Sequence, residues 1–140
     1  YQNIYGVSTS AKYADIAERF ESDEALEPGT VIALGGEKEI TKTAMRADET
    51  VFGVISEFPA FRMNDGGEDA STHPFVAFSG RVPCKVKGPV AKGDRLVSSD
   101  IPGAAVKANS TDDWKATFGR ALVDKTSEEV EKITIAIGVK

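Results

Sequence analysis

The fold is decided by a stretch that occurs twice, first as Glu27-Pro28-Gly29-Thr30-Val31-Ile32 and again as Ala91-Lys92-Gly93-Asp94-Arg95-Leu96-Val97. In both copies a turn ending in glycine leads into a short apolar run. A Phe-Gly step then follows inside a second run, at Phe52-Gly53 in the first copy and at Phe118-Gly119 in the second. A repeated layout of turns and strands is typical of a duplicated β unit, and it indicates a scaffold rather than a catalyst.

The residues around both stretches predict short strands joined by turns. Residues 30–34 with 39–43, and 95–98 with 104–107, are β-favouring runs separated by glycine or proline turns, which predicts two hairpins. Further strands are predicted at 51–56, 75–78, 81–86, 117–123 and 133–137, and a long surface loop at 58–69. The fold class is therefore all-β, a sandwich or irregular barrel. A single domain is expected at 27–140, built from units at about 27–87 and 88–140.

The segment before the first copy has a different pattern. Residues 1–26 are expected to form an N-terminal helix or arm, because Tyr13, Ile16, Ala17 and Phe20 recur three and four positions apart and make one apolar stripe. A helix of this length is marginal alone and needs a surface on which to dock. The stripe is therefore the expected assembly surface, and an extended β-arm remains the alternative.

Composition narrows the functional classes. The chain has 140 residues, the size of one domain, and a net charge of -5 without a cluster of lysine and arginine, which disfavours nucleic-acid binding. No apolar run approaches the roughly 20 residues that a membrane helix needs, so membrane insertion is not expected. The chain begins at Tyr1 without methionine, which indicates a processed product or a piece of a longer protein.

Little in the sequence predicts a catalytic or metal centre. Cys84 is the only cysteine and His73 the only histidine, so disulfides, cysteine zinc cages and a Ser-His-Asp arrangement lack partners. Residues 64–69 lack the ligand spacing of an EF-hand loop, and neither a cofactor nor a metal is expected. Three loop aromatics, Phe58, Phe61 and Trp114, can either stack on a sugar ring, contact a partner protein or cap the core.

Several segments together resemble a module of bacteriophage tail fibres and related virion appendages. The resemblance rests on 10–20, on 27–31, on Phe52-Gly53-Val54-Ile55-Ser56 and on 59–64, and it continues through 80–94, 98–106 and 118–122. The second half also resembles β-clip folds. The resemblance implies a structural module of a tail fibre, tailspike or capsid decoration in the virion, assembled in the host cytoplasm. Its implied partners are further copies of the chain, as a homotrimer, other virion proteins and a host surface glycan.

The same layout is similar to the autoproteolytic chaperone domain of the peptidase G2 class. That likeness implies a second function, in which the domain assists assembly of a longer fibre and is then cut off. Its implied cleavage residues are Asp15 and Glu18, with Ser10 as a hydroxyl near the cut. Residues 16–20 depart from the aromatic-rich acidic run of that class.

Overall fold

The structure, a computed structural model, describes residues 15–112 and 114–138. Its strands are β1 (Ile16–Arg19), β2 (Val31–Leu34), β3 (Ile40–Lys42), β4 (Val51–Ser56), β5 (Phe61–Met63), β6 (Phe75–Lys87), β7 (Arg95–Ser98), β8 (Ala105–Lys107), β9 (Gly119–Ala121) and β10 (Val130–Ile137). One 3-10 turn spans Trp114–Ala116. In the part of the chain that the structure describes, no helix is long and apolar enough to cross a membrane.

The second half closes into a five-stranded ring. Its strand order is β6-β8-β7-β9-β10, and β10 then pairs with β6 along its whole length, from Val130 opposite Lys87 to Ile137 opposite Gly80. The β6–β8 pairing is parallel and the other pairings are antiparallel. A sheet that pairs back onto its first strand leaves no free edge in that ring, which is the arrangement of a small barrel.

The first half repeats this arrangement with β1 in the role of β6. Its strands run β6-β4-β2-β3, and the segment after β1 bridges β3 in parallel through Ser22 and Ile40. β1 itself pairs antiparallel with β6, where Ala17 lies opposite Ala77. Strand β6 is thus the last strand of the first ring and the first strand of the second, and the turn of the chain at Gly80, with φ of +107°, divides its two roles.

The duplication extends to single hydrogen bonds. Gly29 N donates to Ile55 O at 2.9 Å, and Gly93 N donates to Ala121 O at 2.8 Å. The return bonds, from Ile55 N to Thr30 O and from Ala121 N to Asp94 O, are both 2.9 Å. The repeated glycine turns therefore fix the same strand pairing in both halves.

The buried side chains form two clusters. The larger one runs through both halves and includes Val54 of β4, Val82 of β6 and Ile135 of β10, each fully buried. The smaller cluster lies in the first half, where Ile32, Ile40, Ile55 and Val76 meet. Fully burying one such side chain contributes about 1.5–3 kcal/mol, so the larger cluster contributes to the stability of both rings.

The all-β fold is confirmed, with three local differences from the expectations. Residues 16–19 are extended rather than helical, because both sides of β1 find strand partners. The surface loop expected at 58–69 contains β5, which pairs with β1. The two strands expected at 75–78 and 81–86 are one continuous strand, because Gly80 adopts a positive φ that lets the chain bend without ending.

Candidate functional site

The candidate site is built on β1 and its neighbours. β1 lies between β5, which pairs with it in parallel, and the first half of β6, which pairs antiparallel. Ile16 lies opposite Phe61 of β5 and opposite Ser79 of β6. Among the described strands β5 pairs with β1 alone, so its outer side is an open edge of the sheet.

A buried carboxylate lies at the start of this site. Asp15 directly precedes β1 and is fully buried. Its Oδ2 accepts a hydrogen bond of 2.6 Å from the Ser56 hydroxyl, and its Oδ1 accepts one of 3.3 Å from Ala60 N. The Asp15 carbonyl also accepts from Phe61 N at 3.1 Å. These bonds tie the start of the first ring to the end of β4 and to β5.

The two acidic cleavage candidates are not brought together. Positions three apart on an extended strand point to opposite faces, so Asp15 faces inward while Glu18 is half-buried on the other face. Glu18 accepts a hydrogen bond of 3.4 Å from the Asn64 side chain. The third candidate, Ser10, lies outside the described residues.

Arg19 holds the loop that follows β5, residues 64–73, against β1. Its Nε lies 2.7 Å from Asp65 Oδ1, its Nη1 donates to His73 O at 2.7 Å, and its guanidinium lies 4.2 Å from the centroid of the Phe75 ring. The hydrogen bond from Arg19, together with the Gly67 N–H, lowers the pKa of the Asp65 carboxyl below its usual value. The loop at 64–73 is thereby fastened at both ends.

The apolar stripe expected on a helix is divided between two faces. Ala17 is fully buried in the larger cluster, while Ile16 is half-buried on the opposite face. Phe20 packs against the smaller cluster, with its ring edge-on to that of Phe52 at 5.3 Å between centroids. The fourth member, Tyr13, lies outside the described residues.

Two exposed apolar side chains lie on the open edge strand β5. Phe61 and Met63 of β5 are 47% and 49% exposed, and they project to the same side because they are two positions apart. Opposite Phe61 lies the half-buried Ile16. We call these three residues, Ile16, Phe61 and Met63, the apolar edge.

A groove of about 500 Å³ opens between the two rings. Ser56, the partner of Asp15, lines it together with Glu57 and the exposed Phe58, and β10 contributes Lys132 and Thr134 from the other side. Phe61 and Trp114 do not line it. Trp114 is 66% exposed on the 3-10 turn of the second half, so the structure distributes the three aromatic candidates over different elements.

The single cysteine of the sequence is buried. Cys84 is fully buried in the larger cluster, and burial raises the pKa of its thiol, which opposes formation of the nucleophilic thiolate. Within residues 15–112 and 114–138, no group of three or more His, Cys, Asp or Glu side chains is arranged to hold a metal ion.

Sequence reasoning missed two buried polar residues. The only sequence signal for Ser56 is weak: it is a hydroxyl residue at the end of the apolar run of β4. Its partner Asp15 is 41 positions away, so no local pattern indicates the hydrogen bond between them. Lys125, only 5% exposed, donates from Nζ to the carbonyls of Gly88, Ser127 and Glu129 at 2.8, 2.7 and 2.6 Å. Nothing in the sequence distinguishes it from the surface lysines.

Three solved structures of bacteriophage phi29 proteins share this fold. Over 90% of this chain, the pre-mature gene product 12 of bacteriophage phi29 superposes with a TM-score of 0.67 and 13% identity. The C-terminal fragment of the same gene product gives a TM-score of 0.63 at 15% identity over 88% of this chain. The N base of the phi29 head fiber gp8.5 gives 0.50 at 17% identity over 85%.

This chain covers a different share of each of the three phi29 structures. This chain spans about a fifth of the pre-mature gene product, 22%, but 99% of its C-terminal fragment and 90% of the head fiber base. No protein-family model matches the sequence, and no curated protein matches it. Likeness at these identities establishes a fold in common with these phi29 proteins and nothing further. The resemblances to the peptidase G2 class and to β-clip folds stay predictions.

Proposed function

We propose that this chain is a structural module of a phage virion appendage and that it assembles with further copies of itself, as a trimer, and with other virion proteins. The observation that carries the proposal is the match to almost the whole C-terminal fragment of a phage gene product, in a chain that also matches a head fiber base. Because a shared fold does not by itself define a function, the scaffold role must also be argued from the surfaces of this chain.

The apolar edge supports self-assembly. Phe61 and Met63 lie on a strand with an open side, and an open strand edge with apolar side chains favours pairing with another chain. Sequestering two half-exposed large side chains removes apolar area from water, which is the main driving force of most protein association. Ile16 extends the same surface into β1.

The test is the native mass of the purified chain by multi-angle light scattering. The wild type should assemble, and the double variant Phe61→Asp with Met63→Asp should shift toward monomer. Met45→Asp is the matched control, because Met45 is 59% exposed but lies away from β1 and β5. A monomeric wild type at high concentration would contradict the proposal, and an unchanged mass of the double variant would contradict the role of the apolar edge.

A second candidate function is self-cleavage of a longer fibre precursor, after which the module is released. It is favoured by the buried Asp15, which lies at the start of the first ring and binds the hydroxyl of Ser56. It is also favoured by two of the similar phi29 structures, which are a pre-mature gene product and a C-terminal fragment of the same gene product.

This second function is tested on a precursor that extends the chain before Tyr1 with the natural upstream sequence. Cleavage should give two bands on a denaturing gel. The variants Asp15→Asn and Glu18→Gln should each slow it, whereas Glu24→Gln, an exposed carboxylate of the same first half, should cleave normally. Unaltered cleavage in both acidic variants would remove Asp15 and Glu18 from this role.

A further inference from the structure

A trimer cannot be built from a surface that contacts only itself. A surface that meets its own copy is related to it by a two-fold axis and gives a dimer, whereas a closed ring of three needs two different surfaces on each copy. In the proposed assembly one of these surfaces is the apolar edge on β1 and β5. The chain must therefore carry a second surface that receives it.

The groove between the two rings has the apolar character that a receiving surface needs. Phe58 and Val123 line it, and both side chains are exposed. Its volume of about 500 Å³ lies within the range of clefts that enclose a whole ligand, so it has room for large side chains. We call this surface, with Glu57, Phe58, Val123 and Lys132 on its walls, the inter-ring groove.

Lys132 is a cation of the inter-ring groove without an ion pair. A Cβ added to Gly29, which also lines the groove, would lie 3.0 Å from Lys132 Cε, so the aliphatic stem of Lys132 lies along the Gly29 backbone. The carboxylate of Glu27 forms its ion pair with Lys85 instead. Among the described residues, no carboxylate lies within 4 Å of the Lys132 ammonium group.

The apolar edge has a carboxylate beside it. In the pairing of β1 with β5, Glu18 lies opposite Met63, and residues opposite each other in a sheet project to the same face. Glu18 therefore shares a face with the apolar edge. It accepts a hydrogen bond of 3.4 Å from the Asn64 side chain, and in residues 15–112 and 114–138 no cation lies within 4 Å of its carboxylate.

A second pair of opposite charges is divided between the same two surfaces. Glu57 is the exposed carboxylate of the inter-ring groove, and Arg62 is the exposed cation of β5, on the face opposite to Met63. Neither side chain forms an ion pair within 4 Å in the part of the chain that the structure describes. A strand inserted into a groove has both of its faces against the partner, so the groove can meet both charges of the edge.

Another hollow of similar size lacks these features. It has a volume of about 520 Å³ and lies around Val90, which is buried. Its two lysines are engaged within the chain, since Lys107 lies 3.6 Å from Asp94 and Lys125 donates to three backbone carbonyls. The inter-ring groove is therefore the better receiving surface for an apolar strand with a carboxylate.

The groove and the apolar edge adjoin in the chain. Only Pro59 and Ala60 separate Phe58 of the groove from Phe61 of the edge. Asp15 binds the chain on both sides of Phe58, because it accepts hydrogen bonds from Ser56 and from Ala60 N. In a closed ring of three, the two contact surfaces of each copy meet at the three-fold axis. Two adjoining surfaces suit that geometry.

We propose that the apolar edge of one copy inserts into the inter-ring groove of the next copy. There the edge packs against Phe58 and Val123, and removal of apolar area from water drives the association. Glu18 lies beside Lys132, which fixes the direction in which the strand lies in the groove. The inference rests on the proposed self-assembly and names its contact, and three such contacts close a ring.

The decisive experiment mixes two defective chains. The edge variant, Phe61→Asp with Met63→Asp, keeps an intact groove. The groove variant, Phe58→Asp with Val123→Asp, keeps an intact edge. Each variant alone should associate about 100-fold more weakly than the wild type in light scattering. When one is titrated into the other, a single good contact is restored, and the mixture should form a pair of one copy of each that cannot close into a ring.

A charge exchange tests the contact of Glu18 with Lys132. Glu18→Lys and Lys132→Glu should each weaken association about 10-fold at low salt, and a chain that carries both changes should regain the wild-type mass. Glu37→Lys with Lys92→Glu is the matched control, because both positions are exposed and belong to neither surface. This control should associate as the wild type does. A doubly changed Glu18 and Lys132 chain that stays weak would overturn the pairing of these two residues.

The outcomes separate this inference from the proposed function. If the wild type assembles, the edge variant does not, and the mixture of the edge and groove variants stays monomeric, the docking contact is wrong while self-assembly stands. Assembly of the groove variant at wild-type strength would overturn the contact as well. A monomeric wild type would overturn both proposals.

Two controls exclude trivial causes of a lost assembly. Leu34→Asp with Met45→Asp introduces the same charge at two exposed apolar side chains outside both surfaces, and it should assemble as the wild type does. Circular dichroism of each variant, with thermal unfolding near that of the wild type, excludes misfolding.

Discussion

Gly53 and Gly119 occupy the same place in the two rings. A Cβ added to Gly53 would lie 2.4 Å from the carbonyl oxygen of Ala77, and one added to Gly119 would lie 2.4 Å from the carbonyl oxygen of Ala136. Both oxygens belong to the backbone of the strand next door, which cannot move aside as a flexible side chain can. The Phe-Gly step is therefore a packing requirement, because the neighbouring strand comes too close for any side chain.

Alanine at either glycine should destabilise the fold. For Gly53→Ala and Gly119→Ala we expect a loss of about 1–3 kcal/mol in the free energy of unfolding, because the paired strands must separate locally. The measurement is urea unfolding followed by circular dichroism. Gly66→Ala is the control, since its new methyl would meet the mobile carboxylate of Glu68 at 3.0 Å. Equal stability of all three variants would contradict the close strand approach.

Lys125 should be important for stability although it forms no ion pair in the described chain. Lys125→Met would leave the carbonyls of Gly88, Ser127 and Glu129 without their shared donor, and we expect a loss of about 3 kcal/mol. Lys87→Met is the comparison, because Lys87 Nζ donates to the single carbonyl of Glu128 at the surface. If the two methionine variants unfold at the same urea concentration, the three hydrogen bonds from Lys125 stabilise the fold no more than the single one from Lys87.

The contacts of Arg19 with Asp65 and with the His73 carbonyl should limit the mobility of the loop at 64–73. Arg19→Met removes the contacts to Asp65 and to the His73 carbonyl, so amide exchange and proteolytic cleavage in the loop should accelerate while the second ring keeps its protection. Arg62→Met is the matched variant, because Arg62 is exposed and lies 5.5 Å from the same Phe75 ring. Acceleration throughout the chain would instead indicate global destabilisation.

Acid should weaken the fold partly through Glu27. Its hydrogen bond and charge contact with Lys85 lower the pKa of the Glu27 carboxyl from its usual value of 4.5. A carboxyl whose pKa is lower in the folded chain stabilises it above the unfolded pKa, and that contribution disappears as the pH falls through the folded pKa. Glu27→Gln should therefore show a shallower loss of stability below about pH 4.5 than the wild type. Glu37→Gln is the control, because Glu37 forms no ion pair within 4 Å among the described residues.

The sequence predicts the duplication because the duplication depends on glycines in turns, where a positive φ is a local requirement. Gly29 and Gly93 adopt φ of +92° and +94°, and each lies in the turn that leads into an inner strand of its ring, β2 or β7. The extended state of residues 16–19 could not be read in the same way, because the spacing of Ile16, Ala17 and Phe20 suits a helix. Pairing of β1 with strands 45 and more positions away overrides that local preference.

The hydrogen bond between Ser56 and Asp15 joins residues that no local sequence pattern connects. Its contribution to stability can be measured directly, which tests the geometry of the candidate site. Asp15→Ala would leave the Ser56 hydroxyl and Ala60 N without their acceptor, and we expect a loss of about 1–3 kcal/mol in the free energy of unfolding. Asp15→Asn keeps an acceptor oxygen and should cost less. In a double-mutant cycle with Ser56→Ala, the two losses should add to more than the loss of the double variant. Strict additivity would show that the two side chains act independently. Glu18→Ala is the control, because Glu18 lies on the other face of β1, and it should change the free energy of unfolding by no more than about 0.5 kcal/mol.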